Sequence, residues 1–277
     1  MKPFIKWAGG KTQLLDKILP LVPDNIDTYV EPFVGGGGVL SKILDNPQIK
    51  IVYINDLNTS LVITYTAIKN DVTALMQKLD ELTAEFNSYG TDEERKEMYY
   101  RVRDTFNNIR NSDTLIDIAA LFIFINKTCF NGLYRENKHG RFDTPFNGTK
   151  HITLYDRQNL LDWHNALQKC IIFNESYERV NPDIDYSKSF WYLDPPYKNT
   201  FTGYNSGGFS DADQEQLKNY VDILTDRGAK VLESNSDCEY FDRLYTGYTI
   251  TRIPARRSIN SKASGRGKTN EILIRNY

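Results

Sequence analysis

The residue types and spacing that could carry chemistry stand out first in Asp194-Pro195-Pro196-Tyr197, which follows the apolar run Ser189–Leu193. An apolar run that ends in a carboxylate predicts a buried strand with an acid at the edge of a sheet. Two consecutive prolines fix the torsion φ and remove two N–H donors. The turn is therefore expected to be stiff, with carbonyl groups free to accept hydrogen bonds.

Such a turn could hold an aromatic ring that carries an amine. Asp194 and the carbonyl of Pro195 would accept the two N–H groups, and Tyr197 would stack on the ring of an adenine or cytosine turned out of a duplex. These hydrogen bonds would aim the nitrogen lone pair at an electrophilic methyl group, so that transfer is a direct displacement. The alternative is a structural proline turn, which would be preferred if the Asp-Pro-Pro triplet stood alone.

A second candidate is the run of four glycines at 35–38. Glycines between a strand and a helix let the backbone approach a ligand closely. The dinucleotide fingerprint fails, because its third glycine position is Leu40 or Ser41. The P-loop pattern ending in Gly10-Lys11-Thr12 also fails, because Ile5 occupies its first glycine position. A purely structural tight turn remains the alternative.

Asp56 adds to the glycine run. It follows the glycines by about twenty residues, at the end of the next predicted strand, where a carboxylate can accept both hydroxyl groups of a ribose. A glycine turn and a ribose acid without a full pyrophosphate cradle suit a nucleoside without phosphates, such as S-adenosylmethionine. Taken alone, Asp56 would be interpreted as a helix N-cap.

The elements that must position these residues alternate along the chain. Predicted strands, helices and turns form one βαβ unit up to residue 56, helices dominate from about 60 to 128, and a basic segment with little periodicity follows. The apolar stretch 118–125 predicts a buried helix. The remaining predictions are a helix over 11–19, a helix near 211–226, and strands at 170–173, 190–194, 229–235, 248–253 and 271–277. We expect an α/β fold with an inserted, mainly helical domain, with boundaries 1–60 and 156–277 for the sheet and 61–155 for the insertion.

Composition narrows the class of protein. The chain has 277 residues and a net charge of −2, so overall charge does not indicate a nucleic-acid partner. Its three cysteines show no CxxC spacing and its three histidines no metal-ligand spacing. Neither a signal peptide nor a segment of transmembrane length is evident. We expect a cytoplasmic protein without a metal centre and without membrane contact.

The chain resembles the Dam-type DNA adenine-N6 methyltransferases, the alpha class of amino-methyltransferases. The resemblance covers nearly the whole sequence. Its matches are Lys6-Trp7-Ala8-Gly9-Gly10-Lys11, Glu31-Pro32-Phe33-Val34-Gly35-Gly36-Gly37, Asn55-Asp56, residues 126–135, residues 194–197, residues 256–259 and residues 266–271.

The resemblance implies a Rossmann-like methyltransferase sheet with helices on both faces, S-adenosylmethionine as cofactor and double-stranded DNA as partner. Trp7 and Lys11 would contact the methionine end of the cofactor, Phe33 its adenine and Asp56 its ribose. The implied cofactor-binding set is Trp7, Lys11, Phe33, Gly35, Gly37, Asp56 and Asp194. The implied catalytic set is Asp194, Pro195, Pro196 and Tyr197, with Asp194 between the cofactor's amino group and the target base.

Two segments are expected to face DNA. Residues 127–150 carry five Lys or Arg against two acids, and residues 252–275 carry seven against one. The DNA-binding residues indicated by the resemblance are Phe130, Asn131, Leu133, Arg135, Arg141, Pro145, Arg256 and Arg257. Residues 146–150, Phe-Asn-Gly-Thr-Lys, depart from the Arg-Tyr-Lys-like stretch usual in relatives that read GATC. The target is expected to be GATC or another short sequence containing adenine.

Alternatives stay open at this stage. The same turn serves the N4 amine of cytosine, and a DNA-binding module that has lost catalysis would keep the basic segments. A kinase or NTPase is disfavoured by the failed P-loop. A restriction endonuclease acting at the same site is a candidate partner. Loss of the Tyr197 hydroxyl alone is expected to be mild.

Overall fold

The computed structural model describes residues 1–112, 114–198, 209–256 and 268–277, and the side chains at 255, 256, 268 and 269 fall outside that description. Seven strands form one sheet. They are β1 (Thr28–Glu31), β2 (Ile51–Asn55), β3 (Cys170–Phe173), β4 (Ser189–Leu193), β5 (Lys230–Ser236), β6 (Thr249–Arg256) and β7 (Lys268–Arg275).

The helices connect and cover these strands. They are α1 (Leu15–Ile18), α2 (Leu40–Ile43), α3 (Thr59–Asn70), α4 (Val72–Ser88), α5 (Asp92–Ile109), α6 (Leu115–Thr128), α7 (Arg157–Leu167), α8 (Asp211–Asp226) and α9 (Glu239–Leu244). Side-chain caps fix several starts, since Asn58 accepts a hydrogen bond at the start of α3, and Thr91 and Ser210 form capping boxes at the starts of α5 and α8.

The strand order is β3-β2-β1-β4-β5-β7-β6, with β7 antiparallel to both of its neighbours and the pairs from β3 to β5 parallel. The chain first builds the sheet from β1 toward β3 and then from β4 toward β6. The order therefore reverses between β1 and β4. In open α/β sheets, ligands bind in the crevice outside the carboxyl ends of the strands at such a reversal.

Both faces of the sheet are covered. Every residue of β1 and of β4 is buried, as expected for strands packed on both sides. Successive residues of β4 contribute alternately to two apolar clusters: Phe190 and Tyr192 face a cluster that includes α3, α4, α6 and α7, whereas Trp191 and Leu193 face α8 and α9. The predicted fold class is thereby confirmed.

The insertion between β2 and β3 is mainly helical. The apolar stretch at 118–125 is indeed buried, inside α6, and α4 and α5 pack against that helix. The segment at 129–146, called here the 129–146 hairpin, folds back on itself through antiparallel bridges at Cys129 to Phe146 and Glu136 to Phe142. The boundaries 1–60, 61–155 and 156–277 given from the sequence stay a prediction.

The predicted single helix over residues 11–19 is wrong. Residues Lys11–Leu14 form a 3-10 turn, α1 spans only four residues, and Leu19–Leu21 form a second 3-10 turn that contains Pro20. Leu14 has φ −110° and ψ 4°, which interrupts the regular helix. The short segments keep Lys11 at the carboxyl edge of the sheet.

Membrane-spanning helices and metal-binding groups are two features to look for in the described parts of the chain. Among those residues no helix is long and apolar enough to cross a membrane. A search of the same residues finds no group of three or more His, Cys, Asp and Glu that could hold a metal ion.

Candidate active site

Three acids lie at the point where the strand order reverses. Glu31 is the last residue of β1, Asp56 comes directly after β2, and Asp194 comes directly after β4. Because β2, β1 and β4 are adjacent and parallel, the three carboxyl groups share one edge of the sheet. This places Asp194 beside the glycine turn and Asp56, as the sequence predicted.

Both carboxylate oxygens of Asp194 are engaged. Oδ1 accepts a hydrogen bond from Ser234 Oγ at 2.8 Å, and Oδ2 lies 2.7 Å from the ammonium of Lys11. Lys11 is 5% exposed, and its Nζ also donates to the carbonyl of Gly9 at 2.6 Å. A buried ammonium thus sits next to the acid that is expected to receive an amine.

The rest of the 194–198 turn is tied to the sheet and to α8. The carbonyl of Pro196 accepts from Gln214 Nε2 at 3.2 Å, and the carbonyl of Lys198 accepts from Ser236 Oγ at 3.2 Å. The hydroxyl of Tyr197 donates to Glu271 Oε2 at 2.7 Å. The turn is held at each of these residues, which agrees with a rigid binding surface.

The charges at this edge favour a cationic ligand. Burial raises the pKa of Asp194 in spite of the neighbouring Lys11, and burial raises the pKa of Glu31 well above its usual value. Burial also raises the pKa of Asp56 to about 6. These three carboxyl groups are costly to ionise, and a ligand with positive charge would stabilise their ionised forms as Lys11 does for Asp194.

The glycine turn has a packing role that the sequence did not reveal. A Cβ atom at Gly35 or at Gly36 would come within 2.9 Å of the Trp7 side chain, and one at Gly37 within 2.5 Å of the Tyr65 hydroxyl. Gly35 and Gly37 also have positive φ, 49° and 70°. These glycines are needed for Trp7 and Tyr65 to reach the backbone, whether or not a cofactor also touches it.

Asp56 and Phe33 flank the turn. Asp56 accepts hydrogen bonds from the backbone N–H groups of Gly35 and Asn58, each at 2.9 Å, so it closes the glycine turn and also contacts the start of α3. The half-buried ring of Phe33 packs against Tyr177 with 5.1 Å between ring centres.

A cavity of about 280 Å³ connects this region to the insertion. Its lining includes Lys6, Trp7 and Gly36 from the sheet side, and Asn131 and Leu133 from the 129–146 hairpin. The structure therefore brings two of the predicted DNA-binding residues next to a predicted cofactor-binding residue.

Comparison with known proteins decides the family. The sequence model of the family described as D12 class N6 adenine-specific DNA methyltransferase matches residues 7–259. The chain belongs to this family. It is a DNA methyltransferase that acts on the N6 amine of adenine, which confirms the prediction made from the resemblance; the turn alone had left the N4 amine of cytosine open.

Curated relatives match along their whole length. The type II methyltransferase M.MjaIII of Methanocaldococcus jannaschii is 43% identical over 100% of this chain and 99% of that protein. The DNA adenine methylase of Vibrio cholerae is 32% identical over 98% and 95%. Among solved structures, the methyltransferase domain of bacterial CtHen1-CN aligns with this chain at 8% identity and a TM-score of 0.39. The alignment covers 96% of this chain and 98% of that chain. A likeness of that size does not bear on function.

In this methyltransferase the 129–146 hairpin presents the predicted DNA contacts. Phe130 is 55% exposed, and Asn131 is exposed in the left-handed region with φ 57°. The N–H of Phe130 donates to the carbonyl of Pro145 at 2.8 Å, which ties the two arms of the hairpin together. A non-glycine residue held at positive φ is uncommon and is typical of functional turns.

Two of the four arginines predicted to bind DNA make hydrogen bonds within the insertion. Arg135 Nε donates to Asp143 at 2.7 Å within the hairpin, and Arg141 Nη2 donates to Asn108 of α5 at 3.3 Å. Arg256 ends β6, but its side chain and the whole of Arg257 lie outside the described residues. The DNA-binding roles of all four stay predictions.

Asn126 opens the matched segment 126–135, but sequence reasoning assigned it no role. It is buried in the last turn of α6, where its Oδ1 accepts from Lys6 N at 2.9 Å and its Nδ2 donates to the carbonyls of Lys6 and Gly132 at 2.8 and 3.2 Å. Beside it, Cys129 Sγ lies 3.6 Å from the carbonyl of Asn126 and 3.7 Å from that of Leu133. A polar residue directly after eight apolar ones was the available signal.

Proposed function

We propose that this adenine-N6 DNA methyltransferase uses S-adenosylmethionine and holds the target adenine at residues 194–197. The observation that carries the proposal is the position of Asp194, at the strand-order reversal, with an ammonium 2.7 Å from its Oδ2. Because the Asp194 carboxylate already accepts a hydrogen bond from the Lys11 ammonium, it can also accept one from the amine of the base or from the amino group of the cofactor.

The residues present fit the proposed cofactor. When bound, S-adenosylmethionine supplies an electrophilic methyl group on a positively charged sulfur. Glu31, Asp56 and Asp194 favour that positive charge, and Lys11 can move from Asp194 to the cofactor's carboxylate. Asp56 would accept the ribose hydroxyl groups while Gly35 stays hydrogen-bonded to it. Trp7 and Phe33 would supply apolar surface at the two ends of the site.

The turn would orient the base rather than react with it. Asp194 accepts hydrogen bonds from the adenine amine, and Pro195 and Pro196 keep the backbone rigid. The ring of Tyr197 faces the same space, since the Lys11 ammonium lies 4.7 Å from its centre. Positioning of this kind is the main contribution a protein makes to a direct displacement.

The helical insertion, residues 61–155, would recognise the DNA. Phe130 and Asn131 are exposed on the 129–146 hairpin, next to Leu133, Arg135, Arg141 and Pro145, and the sequence adds Arg256 and Arg257. An arginine fork suits guanine, and an exposed ring can fill the gap left by a flipped base. GATC is the candidate target. Residues 146–150 are evidence against it, because they depart from the stretch usual in relatives that read GATC. Relatives named type II methyltransferases support a cognate endonuclease as partner.

The test is Asp194→Ala, with Asp183→Ala as control because Asp183 is an exposed acid six residues before β4. We expect methyl transfer to duplex DNA to fall by about 10²–10³-fold or more in Asp194→Ala, with the fold retained by circular dichroism, and to stay at the wild-type rate in Asp183→Ala. Wild-type turnover in Asp194→Ala would exclude the mechanism.

Mass spectrometry of the product and single-molecule sequencing of methylated genomic DNA would identify the base and the site together. We expect N6-methyladenine in a short duplex site. N4-methylcytosine as the only product would contradict the adenine assignment. Normal DNA affinity without detectable transfer would instead indicate a silent DNA-binding module.

A further inference from the structure

We propose that Glu271 is a positioning residue that holds the ring of Tyr197 in the orientation needed to stack on the target adenine. The Tyr197 hydroxyl donates to Glu271 Oε2 at 2.7 Å across 74 residues of sequence. Glu271 lies beyond residues 7–259 matched by the family's sequence model, at the end of the segment 266–271, to which the resemblance assigned no role. The inference deepens the proposed function and rests on it, since it takes the stacking role of Tyr197 from there.

Glu271 is well suited to serve as a fixed anchor. Its strand β7 runs between β5 and β6, and Glu271 is paired with Ser236 on one side and Ile253 on the other. A backbone hydrogen-bonded on both sides has little freedom to shift. Ser236, its partner in the ladder, also donates to the carbonyl of Lys198. One rung of the sheet thus secures two consecutive residues of the turn.

The ring orientation that results is the useful one. One face of the Tyr197 ring lies 4.7 Å from Lys11 Nζ, and the same ammonium contacts Asp194. The face is therefore turned toward the carboxylate that would hold the adenine amine. A hydrogen bond at the Tyr197 hydroxyl fixes χ1 directly. Because a phenol O–H prefers the plane of the ring, the position of the acceptor also favours one value of χ2 and hence one direction of the ring face.

The chemistry of the contact supports a lasting hydrogen bond. Burial, and next the negative charges of Asp194 and Glu271, raise the pKa of Tyr197 well above its usual value, so the hydroxyl stays protonated. A neutral hydroxyl that donates to a carboxylate makes one of the stronger hydrogen bonds in proteins. The Ser234 side chain is also within hydrogen-bonding reach of the Tyr197 hydroxyl, and this second contact would remain when Glu271 is replaced.

The experiment is a double-mutant cycle with Glu271→Ala and Tyr197→Phe, which removes the hydroxyl and keeps the ring. We expect each change to lower the single-turnover rate of methyl transfer about tenfold, or about 1.4 kcal/mol, with the KM for S-adenosylmethionine unchanged. The double variant should lose no more than either single variant. The expected loss in Tyr197→Phe is larger than the mild effect predicted from the sequence.

Two further variants separate positioning from general damage. Glu271→Gln keeps an acceptor oxygen and should recover most of the lost rate, whereas Glu239→Gln, at an exposed acid on α9, should match the wild type. If Glu271→Ala unfolds, the cycle is run instead with Glu271→Leu, which fills similar space and has no acceptor oxygen.

A wild-type rate in the folded Glu271→Ala variant would overturn the inference, and so would losses that multiply in the double variant. If Asp194→Ala abolishes transfer at the same time, only the role of Glu271 fails and the proposed function stands. Retention of transfer in Asp194→Ala would remove the proposed function itself.

Discussion

Asp56 shows how burial of one carboxyl group becomes a dependence on pH. Burial raises its pKa from 3.8 to about 6, even though N–H donors from Asn58 and Gly35 act in the opposite direction. An ionised Asp56 can accept hydrogen bonds from both hydroxyl groups of a ribose, and a protonated one gives up an acceptor position. A ligand that needs the ionised form therefore competes with a proton below about pH 6.

We expect the affinity for S-adenosylmethionine to weaken as pH falls through about 6, by up to about tenfold per pH unit for one proton. Titration calorimetry between pH 5 and 8 would measure it. Asp56→Asn should bind less tightly and with a flatter pH profile; an unchanged profile would assign the effect to another acid. The sign for stability is the reverse, because the contribution of Asp56 to the stability of the free protein falls as pH rises from about 4 to 6.

Among the elements, α6 is the one that joins the two halves of the site. Its Asn126 holds the backbone of Lys6, next to Trp7, and the backbone of Gly132, next to Asn131. Gly132 has φ 65°, and a Cβ there would come within 2.7 Å of the Lys6 side chain. The segment before Trp7 and the 129–146 hairpin are thus held to each other by the hydrogen bonds of one amide.

Asn126→Ala should leave buried backbone groups without these partners. We expect a loss of about 1–3 kcal/mol in the free energy of unfolding, together with weaker DNA binding, measured by urea denaturation and fluorescence anisotropy. Asn165→Ala, at an exposed position on α7, should change stability by less than about 0.5 kcal/mol. Equal stability of the two variants would show that the Asn126 bonds contribute little.

Some elements could be predicted from the sequence and others could not. Strands such as β4 could be predicted because an apolar run ends at turn residues, and α8 because its capping box and its periodicity agree. The short helix α9 and α7 were not predicted, and the 11–19 segment was predicted wrongly because Leu14 leaves helical torsions. Asp194 could be located by its motif, but its partner Ser234 and the Tyr197 partner Glu271 are 40 and 74 residues away, a separation that periodicity does not reveal.

For the whole molecule, we expect cofactor and DNA to bind interdependently, because residues predicted to contact each of them line one cavity between Trp7 and the 129–146 hairpin. We expect saturating S-adenosylhomocysteine to tighten binding of target duplex by about fivefold or more, and DNA to tighten binding of that compound by the same factor. Equilibrium affinities measured in both orders would check it. Asn126→Ala should reduce the factor, and a factor of one in the wild type would contradict the linkage.

Cys129 offers a way to watch the hairpin. Burial raises the pKa of its thiol to about 12, and the side chain lies among the carbonyls at the base of the hairpin. An alkylating reagent needs the thiolate and a path to it. The labelling rate of Cys129 would therefore report how often the hairpin opens. Slower labelling with DNA bound would show that DNA keeps the hairpin closed.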